Sequence, residues 1–388
     1  MGVEIIEVKT KQELKKFIQF PQELYKGNPY YVSELYLSVK WMLSTKNPFL
    51  IHSQIALFLA KINDEIVGRI VAIYNKRHLE VYDDNTGFFG FFDAINNIEV
   101  ARALFQISSD WLKNKGITQM MGPTNLTTND SCGFLLNGFE RNPMVLMPYN
   151  YKYYIELCEH CGFEKTMDLF AYEINGKAVI EKYENVLKRS IQKMEDNGTK
   201  IRPVSTKYFK DDIARLRNVY NKCNENNWGF IPLNENEFSA MAKDLKMIAP
   251  LDCALLVEKG KEIIGFVIAV PDINQALKHV VGGKLFPFGF LKLLWYKRKV
   301  NKARIMILGV LKEYSGQGID LVLYHKITEA LNKHKIYGAE ASFVLESNKI
   351  MNAVLTKIEG KRIKEYRIYG KKISSHNINF KKENDIQK

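Results

Sequence analysis

Val310-Leu311-Lys312-Glu313-Tyr314-Ser315-Gly316-Gln317-Gly318-Ile319-Asp320 is the stretch on which the fold of this chain turns. An apolar, strand-like run at 304–311 leads into it, and an amphipathic run at 319–336 with helical spacing leaves it. Strand, short glycine-containing turn and helix start together make an anion site. Glycine lets the backbone turn tightly and present its N–H groups. The first N–H groups of a helix lack intrahelical partners, and the helix dipole adds positive potential there. Phosphate and pyrophosphate bind readily at such a place. The spacing excludes the phosphate loop Gly-x-x-x-x-Gly-Lys-Ser/Thr and departs from the dinucleotide fingerprint Gly-x-Gly-x-x-Gly. The plain alternative is a capped helix that follows a strand and binds nothing.

Outward from this turn, the chain repeats itself. Asp64-Glu65-Ile66-Val67-Gly68-Arg69-Ile70-Val71-Ala72 reads like Lys261-Glu262-Ile263-Ile264-Gly265-Phe266-Val267-Ile268-Ala269, with the glycines 197 residues apart. Each copy follows a short apolar run, at 55–60 and 254–257, so both predict hairpins. Asn150 and Asn348 each lead a helix-like run ending 12 residues later, at Gly162 and Gly360, with an offset of 198. Val8-x-Thr10-Lys11 and Val204-x-Thr206-Lys207, 196 residues apart, each open a helix after a short strand. The helical runs at 98–115 and 319–335 correspond with an offset of 222. The second copy therefore carries about 25 extra residues before this helix, and the first about as many after it. Compensating insertions in two copies of one pattern argue for a genuine repeat. Each copy predicts strand, helices, hairpin, strand, helix, strand, helix and final strands. That α/β order suits one mixed sheet flanked by helices.

Turn and repeat together resemble the GNAT superfamily of acyl-CoA N-acyltransferases, whose pyrophosphate turn reads Gln/Arg-x-x-Gly-x-Gly/Ala after a strand. Gly316 and Gly318 fall where that superfamily has glycines, and Glu313-Tyr314 precede them as there. Ser315 stands where Gln or Arg is usual, and Asp320 where Gly or Ala is usual; an acid beside the helix start repels a pyrophosphate. Asn150 with Gly162-Phe163 is similar to the superfamily's later motif, in which Asn precedes a helix and Gly-Phe ends it. The resemblance covers nearly the whole chain and implies an α/β protein of two tandem GNAT-like domains. These are an N-terminal domain at 1–175, a helical linker at 176–198, a C-terminal domain at 199–374 and a polar tail at 375–388. In the first copy Asp93-Ala94-Ile95-Asn96-Asn97 replaces the glycine turn, so the donor is expected in the C-terminal half.

The resemblance places the donor site at Val310, Leu311, Ser315, Gly316, Gln317, Gly318, Ile319 and Asn348. It implies CoA or acyl-CoA, or the phosphopantetheine arm of an acyl-carrier protein, with an amine as acceptor. Such enzymes use a carboxylate, often through water, as base and a tyrosine as acid. A backbone N–H of the central strand polarises the thioester carbonyl. Glu346, closing a strand at 339–345, is the first candidate base and Glu340 the second. Thr356 stands near the place of the usual tyrosine, so Tyr366 or Tyr369 on the last strands is the candidate acid. Read from the residues alone, Glu346 is equally a helix-start acid, and the tyrosines are amphipathic sheet residues.

The two insertions differ in character. Leu285-Phe286-Pro287-Phe288-Gly289-Phe290-Leu291-Lys292-Leu293-Leu294-Trp295-Tyr296-Lys297-Arg298-Lys299 joins an aromatic run to a basic cluster. It is too short to span a bilayer, and its composition suits a membrane surface or an acyl-chain site lined by Phe290 and Trp295. The competing account buries the aromatics against the first half and leaves the charges solvated. Gly122–Gly133 of the first copy is polar and rich in amides and hydroxyls. Asn125, Thr127 and Asn129 are candidate acceptor contacts there, against a loop held by its own Asx and Ser/Thr turns.

Composition bounds the rest. A hydrophobic content of 46% over 388 residues allows two ordinary domain cores. No run of about 18 apolar residues predicts a membrane span. The start Met1-Gly2-Val3-Glu4-Ile5-Ile6 lacks the order of a secretory signal, and Ile6 stands where myristoylation wants Ser or Thr. A cytoplasmic protein is expected, with peripheral attachment at the inner membrane surface as the alternative. Cys158-Glu159-His160-Cys161 has no second ligand pair nearby, so helix packing is expected and no metal is assigned. A net charge of +13 attracts anionic lipid, an acidic carrier protein, CoA phosphates or nucleic acid. Lys371, Lys372, Lys381, Lys382 and Lys388 read as a polar end after the last strand. Without a zinc finger, an RNA-binding aromatic signature or an Arg-rich helix, nucleic acid is the least supported partner. The leading reading is a tandem N-acyltransferase with a long-chain or membrane-associated amine. A non-catalytic GNAT-like ligand- or lipid-binding protein is the second, favoured by Ser315 and Asp320.

Overall fold

The computed structural model describes residues 2–373. The first half runs β1 (Glu4–Glu7), α1 (Lys11–Leu24), α2 (Tyr36–Met42), β2 (Ser53–Ile62), β3 (Glu65–Asn75), α3 (Lys76–Tyr82) and β4 (Thr86–Ala94). It continues with α4 (Ile98–Lys113), β5 (Gln119–Gly122), β6 (Phe134–Asn137), α5 (Tyr153–His160) and β7 (Glu164–Ile174). Helices α6 (Gly176–Lys182) and α7 (Glu184–Asp196) link it to the second half. That half runs β8 (Thr199–Pro203), α8 (Phe209–Asn224), α9 (Glu235–Ile248), β9 (Ala254–Lys259), β10 (Glu262–Pro271), α10 (Asn274–Leu277) and α11 (Gly289–Lys297). It ends with β11 (Lys302–Val310), α12 (Ile319–Lys333), β12 (Gly338–Leu345), α13 (Lys349–Lys357) and β13 (Lys361–Lys372).

The repeated segments become equivalent elements. Thr10 opens α1 with a capping box: its hydroxyl accepts from Glu13 N–H at 3.2 Å, and the Glu13 carboxylate accepts from Thr10 N–H at 2.8 Å. The Asp64 and Lys261 segments form the hairpins β2–β3 and β9–β10, both antiparallel. The extra residues of the second copy form α10 and α11 between β10 and β11; those of the first lie between β5 and α5.

One mixed sheet carries both halves, in the order β1-β2-β3-β4-β5-β13-β7-β12-β11-β10-β9-β8, with β6 paired to β13. The last strand of the chain thus lies among strands of the first half, between β5 and β7. The last strand of the first half, β7, pairs with β12 of the second. The closing strands are exchanged. Tyr366 and Ile368 of β13 are buried with Cys132, Leu135, Met167 and Leu169 of the first half. At roughly 1.5–3 kcal/mol for each large apolar side chain buried, this seam holds the halves together. Lys371 and Lys372 belong to β13 rather than to a tail after it, because β13 pairs as far as Lys372↔Gln119. Lys371 Nζ donates to Cys161 O at 2.7 Å. Lys381, Lys382, Lys388 and the segment 375–388 lie outside the described residues. Cys158 and Cys161 are buried in the first half's core.

Candidate functional site

β11 and β12 run parallel but pair only from Lys302↔Gly338 to Ile305↔Ala341. β11 continues to Val310, while β12 departs along β7, as far as Leu345↔Leu169. The strands therefore open into a wedge beyond Ile305. Met306 is the extra residue between the pairs Ile305↔Ala269 and Ile307↔Ile268, and a bulge of this kind increases the local twist. Leu311 N–H bonds Ile264 O at 2.9 Å. Backbone groups alternate in direction along a strand, so those of Leu308 and Val310 face the wedge, where β12 no longer pairs with them.

The glycine turn stands at the end of β11. Gly316 and Gly318 have φ of 73° and 79°, a region that favours glycine. A Cβ on Gly318 would also overlap the Ser190 hydroxyl of α7, whereas Gly316 faces open space. Among the described residues no side chain caps α12, so its first N–H groups are left for water or a ligand. Ile319 is buried and anchors the helix start; Asp320 is exposed.

The first half has the same wedge, filled. β4 and β5 pair only from Thr86↔Gln119 to Phe88↔Met121. Ile95 N–H bonds Val67 O at 2.9 Å, as Leu311 bonds Ile264, so Ala94 is the counterpart of Val310. Ala94 N–H donates to the Tyr154 hydroxyl at 3.1 Å, and Ala94 O accepts from the Tyr153 hydroxyl at 2.8 Å. The Tyr25 and Tyr154 hydroxyls lie 3.1 Å from Asp93 Oδ1, and Arg69 grips Asp93 Oδ2 at 2.8 and 2.7 Å. Burial pushes the Asp93 carboxyl up, opposed by Arg69 and the two hydroxyls. Burial, more than the neighbouring charges, drives Tyr25 and Tyr154 well above the tyrosine range. Asn97 Oδ1 caps α4, accepting from Glu99 and Val100 N–H at 2.9 and 3.4 Å.

A buried polar cluster joins the halves beside the base of the open wedge. Arg304 Nε donates to Ser342 O and Oγ at 3.0 and 3.1 Å, and its Nη1 to Val145 O and Leu146 O at 3.1 Å each. Glu340 accepts from Ser342 Oγ at 3.0 Å and pairs with Lys364 Nζ at 3.4 Å. Asp272 accepts from Val145 N–H at 2.9 Å and from Gln275 at 3.3 Å. Burial lowers Arg304 and Lys364 and raises Asp272 to about 6.

The structure brings Val310, Ser315, Gly316, Gln317, Gly318 and Ile319 together at the wedge and turn. Leu311 adjoins them, with its N–H spent on Ile264. Asn348 caps α13, accepting from Met351 N–H at 3.0 Å. Glu346 closes β12, but its carboxylate is held on the β7 side by Lys165 Nζ at 2.7 Å and Asp168 N–H at 3.0 Å. Tyr366 is fully buried, and its hydroxyl has no hydrogen-bond partner among the described residues. Burial first, then Glu340, pushes its pKa well up. Tyr369 lies in the first half's core and donates to Glu159 at 3.0 Å, because β13 inserts into that part of the sheet.

The polar loop spends its side chains on structure. Asn125 accepts from Phe91 N–H at 2.9 Å, Thr127 donates to Asp130 at 2.7 Å, and Asn129 donates to Ile231 O of the second half at 3.3 Å. Phe290 and Trp295 stand on α11, which leads into the start of β11, at the opposite end of that strand from the turn. They are 48% and 62% exposed, so the account that buries the aromatics against the first half does not hold. Sequence reasoning missed the tyrosines that fill the first wedge, although the run Tyr149-Asn150-Tyr151-Lys152-Tyr153-Tyr154 was a signal. It also missed Asn97, whose place two residues before Glu99 is an ordinary cap position. Ser190 carries no local signal, since its contact depends on how α7 crosses α12.

Among solved structures, the chain matches a tandem GNAT protein from the clavulanic acid biosynthesis pathway over 97% of its own length and 100% of that chain. The TM-score is 0.57 at 8% identity. A GCN5-related N-acetyltransferase from Sphaerobacter thermophilus matches over 96% of each chain, with a TM-score of 0.53 and 12% identity. At such identities these likenesses define the fold alone, that of two tandem GNAT-like units. In sequence, the chain is 34% identical over 370 residues to Protein YghO of Escherichia coli (strain K12), covering 94% of each. It is 33% identical over 375 residues to the bacterial ceramide synthase of Caulobacter vibrioides, covering 95% of this chain and 97% of that protein. No family model matches. The chain belongs to the family of these two proteins.

Proposed function

We propose that this protein transfers an acyl group from a thioester to the amine of a long-chain acceptor. The observation that carries this reading is the second half's open wedge beside an uncapped helix start, where the first half has both occupied. The free N–H groups of α12 suit the phosphates of CoA, or of a phosphopantetheine arm on an acyl-carrier protein. Backbone N–H groups of β11 facing the wedge suit the thioester carbonyl as its charge develops. The amine nitrogen attacks that carbonyl carbon, the C–N bond forms and the C–S bond breaks. The amine proton passes to a carboxylate, and the sulfur leaves as a thiolate that takes up a proton. We assign the carboxylate role to Glu346 at the end of β12, whose carboxylate would have to leave Lys165 and Asp168 N–H on the β7 side to reach the wedge. The long-chain acceptor is supported by the relative named a ceramide synthase, since a ceramide is an N-acylated long-chain amine.

The test is calorimetry with CoA, acyl-CoAs of graded length and an acyl-carrier protein. Amide formation with long- and short-chain amines is then followed by mass spectrometry. Binding of one donor class, with amide formed on a long-chain amine and lost in Glu346→Gln, is the expected result. Absence of donor binding sinks the proposal. Donor binding without amide on any amine would favour the non-catalytic reading, to which Ser315 and Asp320 already point.

A further inference from the structure

We propose that the α10–α11 insertion docks this protein on an anionic membrane surface. Only Leu293 and Tyr296 of α11 pack on the core of the second half, and Tyr296 stacks on His279 at 3.6 Å. No residue of α11 is buried. Val281, Phe286, Phe288, Leu291 and Trp295 are 83, 79, 68, 62 and 62% exposed, and Phe290 and Leu294 about half. A contiguous exposed patch of this kind marks an interaction site.

The charge beside it identifies the partner. No Asp or Glu stands between Asp272 and Glu313. Lys278, Lys284, Lys292, Lys297, Arg298 and Lys299 are all exposed in that interval, and none forms an ion pair among the described residues. Lys299 lies over the Trp295 and Tyr296 rings at 5.8 and 5.4 Å, which sets cation and aromatic at one level. Aromatic side chains entering the acyl boundary, with lysines and arginines among the headgroups, are the pattern of an interfacial element. An acidic protein partner would meet the charges but would have to cover seven separate apolar side chains, four on α11 and three in the segment before it. The fluid headgroup layer covers them without a matching shape. No helix among the described residues is long and apolar enough to cross a membrane, so attachment through this element would be at the surface.

The inference deepens the reading of a long-chain acceptor, because such an amine resides in a membrane, yet it can fail separately. The full chain is sedimented with vesicles of phosphatidylcholine mixed with phosphatidylglycerol, at low and high salt, and with pure phosphatidylcholine. Binding to the anionic vesicles that weakens with salt is expected. Lys297→Gln and Arg298→Gln should each cost roughly fivefold in partitioning. Trp295→Glu should cost about tenfold or more. These residues are exposed, so the melting temperature of each variant should match the parent. A parent that stays in the supernatant at low salt, or Trp295→Glu binding as well as the parent, overturns the proposal. So does a lipid-free dimer that Trp295→Glu dissociates, since the patch would then be covered by a second copy. Vesicle binding with no amide formed would leave this inference standing and remove the proposed function.

Discussion

α4 and α12 begin at equivalent places, each just after the strand that opens a wedge, yet their first turns are used oppositely. Asn97 satisfies the start of α4, and Tyr153 and Tyr154 satisfy both backbone groups of Ala94. Gly318 starts α12 without a cap, and Val310 faces a wedge that no strand or hydroxyl fills among the described residues. Buried backbone groups are nearly always paired, so an unfilled wedge needs water or a ligand that the filled one does not. Duplicating a fold doubles such openings. This chain closes one with its own tyrosines and leaves the other open, and under the proposed function the closed half is the scaffold.

The sharpest way to break this comparison is to place one acid at each helix start. Ser315 is exposed with φ of −64°, so Ser315→Glu adds charge without backbone strain. It should lower donor affinity by about a hundredfold, through repulsion of a phosphate-bearing ligand a few ångströms away. Asn97→Asp keeps a cap on α4 and should leave donor affinity unchanged. Ser315→Arg should act in the opposite direction, with a smaller gain. Calorimetry with CoA reads all three. Equal losses in Ser315→Glu and Asn97→Asp would mean that the halves are not specialised as described.

A second test acts on the filled wedge. Tyr154→Phe removes the hydroxyl shared by Asp93 and Ala94 N–H and leaves both inside a buried core. Removing one partner from a buried polar group costs about 2–3 kcal/mol, so urea unfolding should show that loss with donor affinity intact. A variant as stable as the parent would indicate that water or another side chain had already met those groups.

Much of this was legible in the chain, and what was not has a common cause. The hairpins follow from alternation and turn residues within ten or so positions of Gly68 and Gly265. The glycine turn follows from Gly316 and Gly318, and the aromatic–basic character of α11 from its composition. The exchange of β7 and β13 was not legible, because β13 finds β5 and β7 across most of the chain. Tyr369 therefore does not reach the candidate site, and Tyr366 is sealed at the seam. Asn125, Thr127 and Asn129 were visible as hydrogen-bonding groups, but sequence does not reveal whether such groups serve a ligand or the loop. Exposure of Phe286 and Trp295 likewise depends on packing rather than on local pattern.

The smallest effect concerns the seam that lets the filled half stiffen the open one. Asp272 bridges the halves by accepting Val145 N–H, and burial raises its carboxyl from 3.8 to about 6. The folded state therefore holds its proton more tightly than the unfolded chain does. Between these two values folding carries a bound proton that unfolding releases, so the contribution is fully present below about pH 4 and is lost as pH rises through about 6. The stake is roughly 2 kcal/mol, because each tenfold gain in proton affinity is worth about 1.4 kcal/mol and residual contact with water screens part of it. Asp272→Asn keeps an acceptor for Val145 N–H but cannot ionise. Melting temperature measured against pH should fall across this window in the parent more steeply than in the variant. Parallel curves would mean that Asp272 titrates in the folded protein as it does in the unfolded chain. The seam would then reach water at Asp272, and the two halves would be coupled there by the exchanged strands and the Arg304 and Lys364 contacts instead.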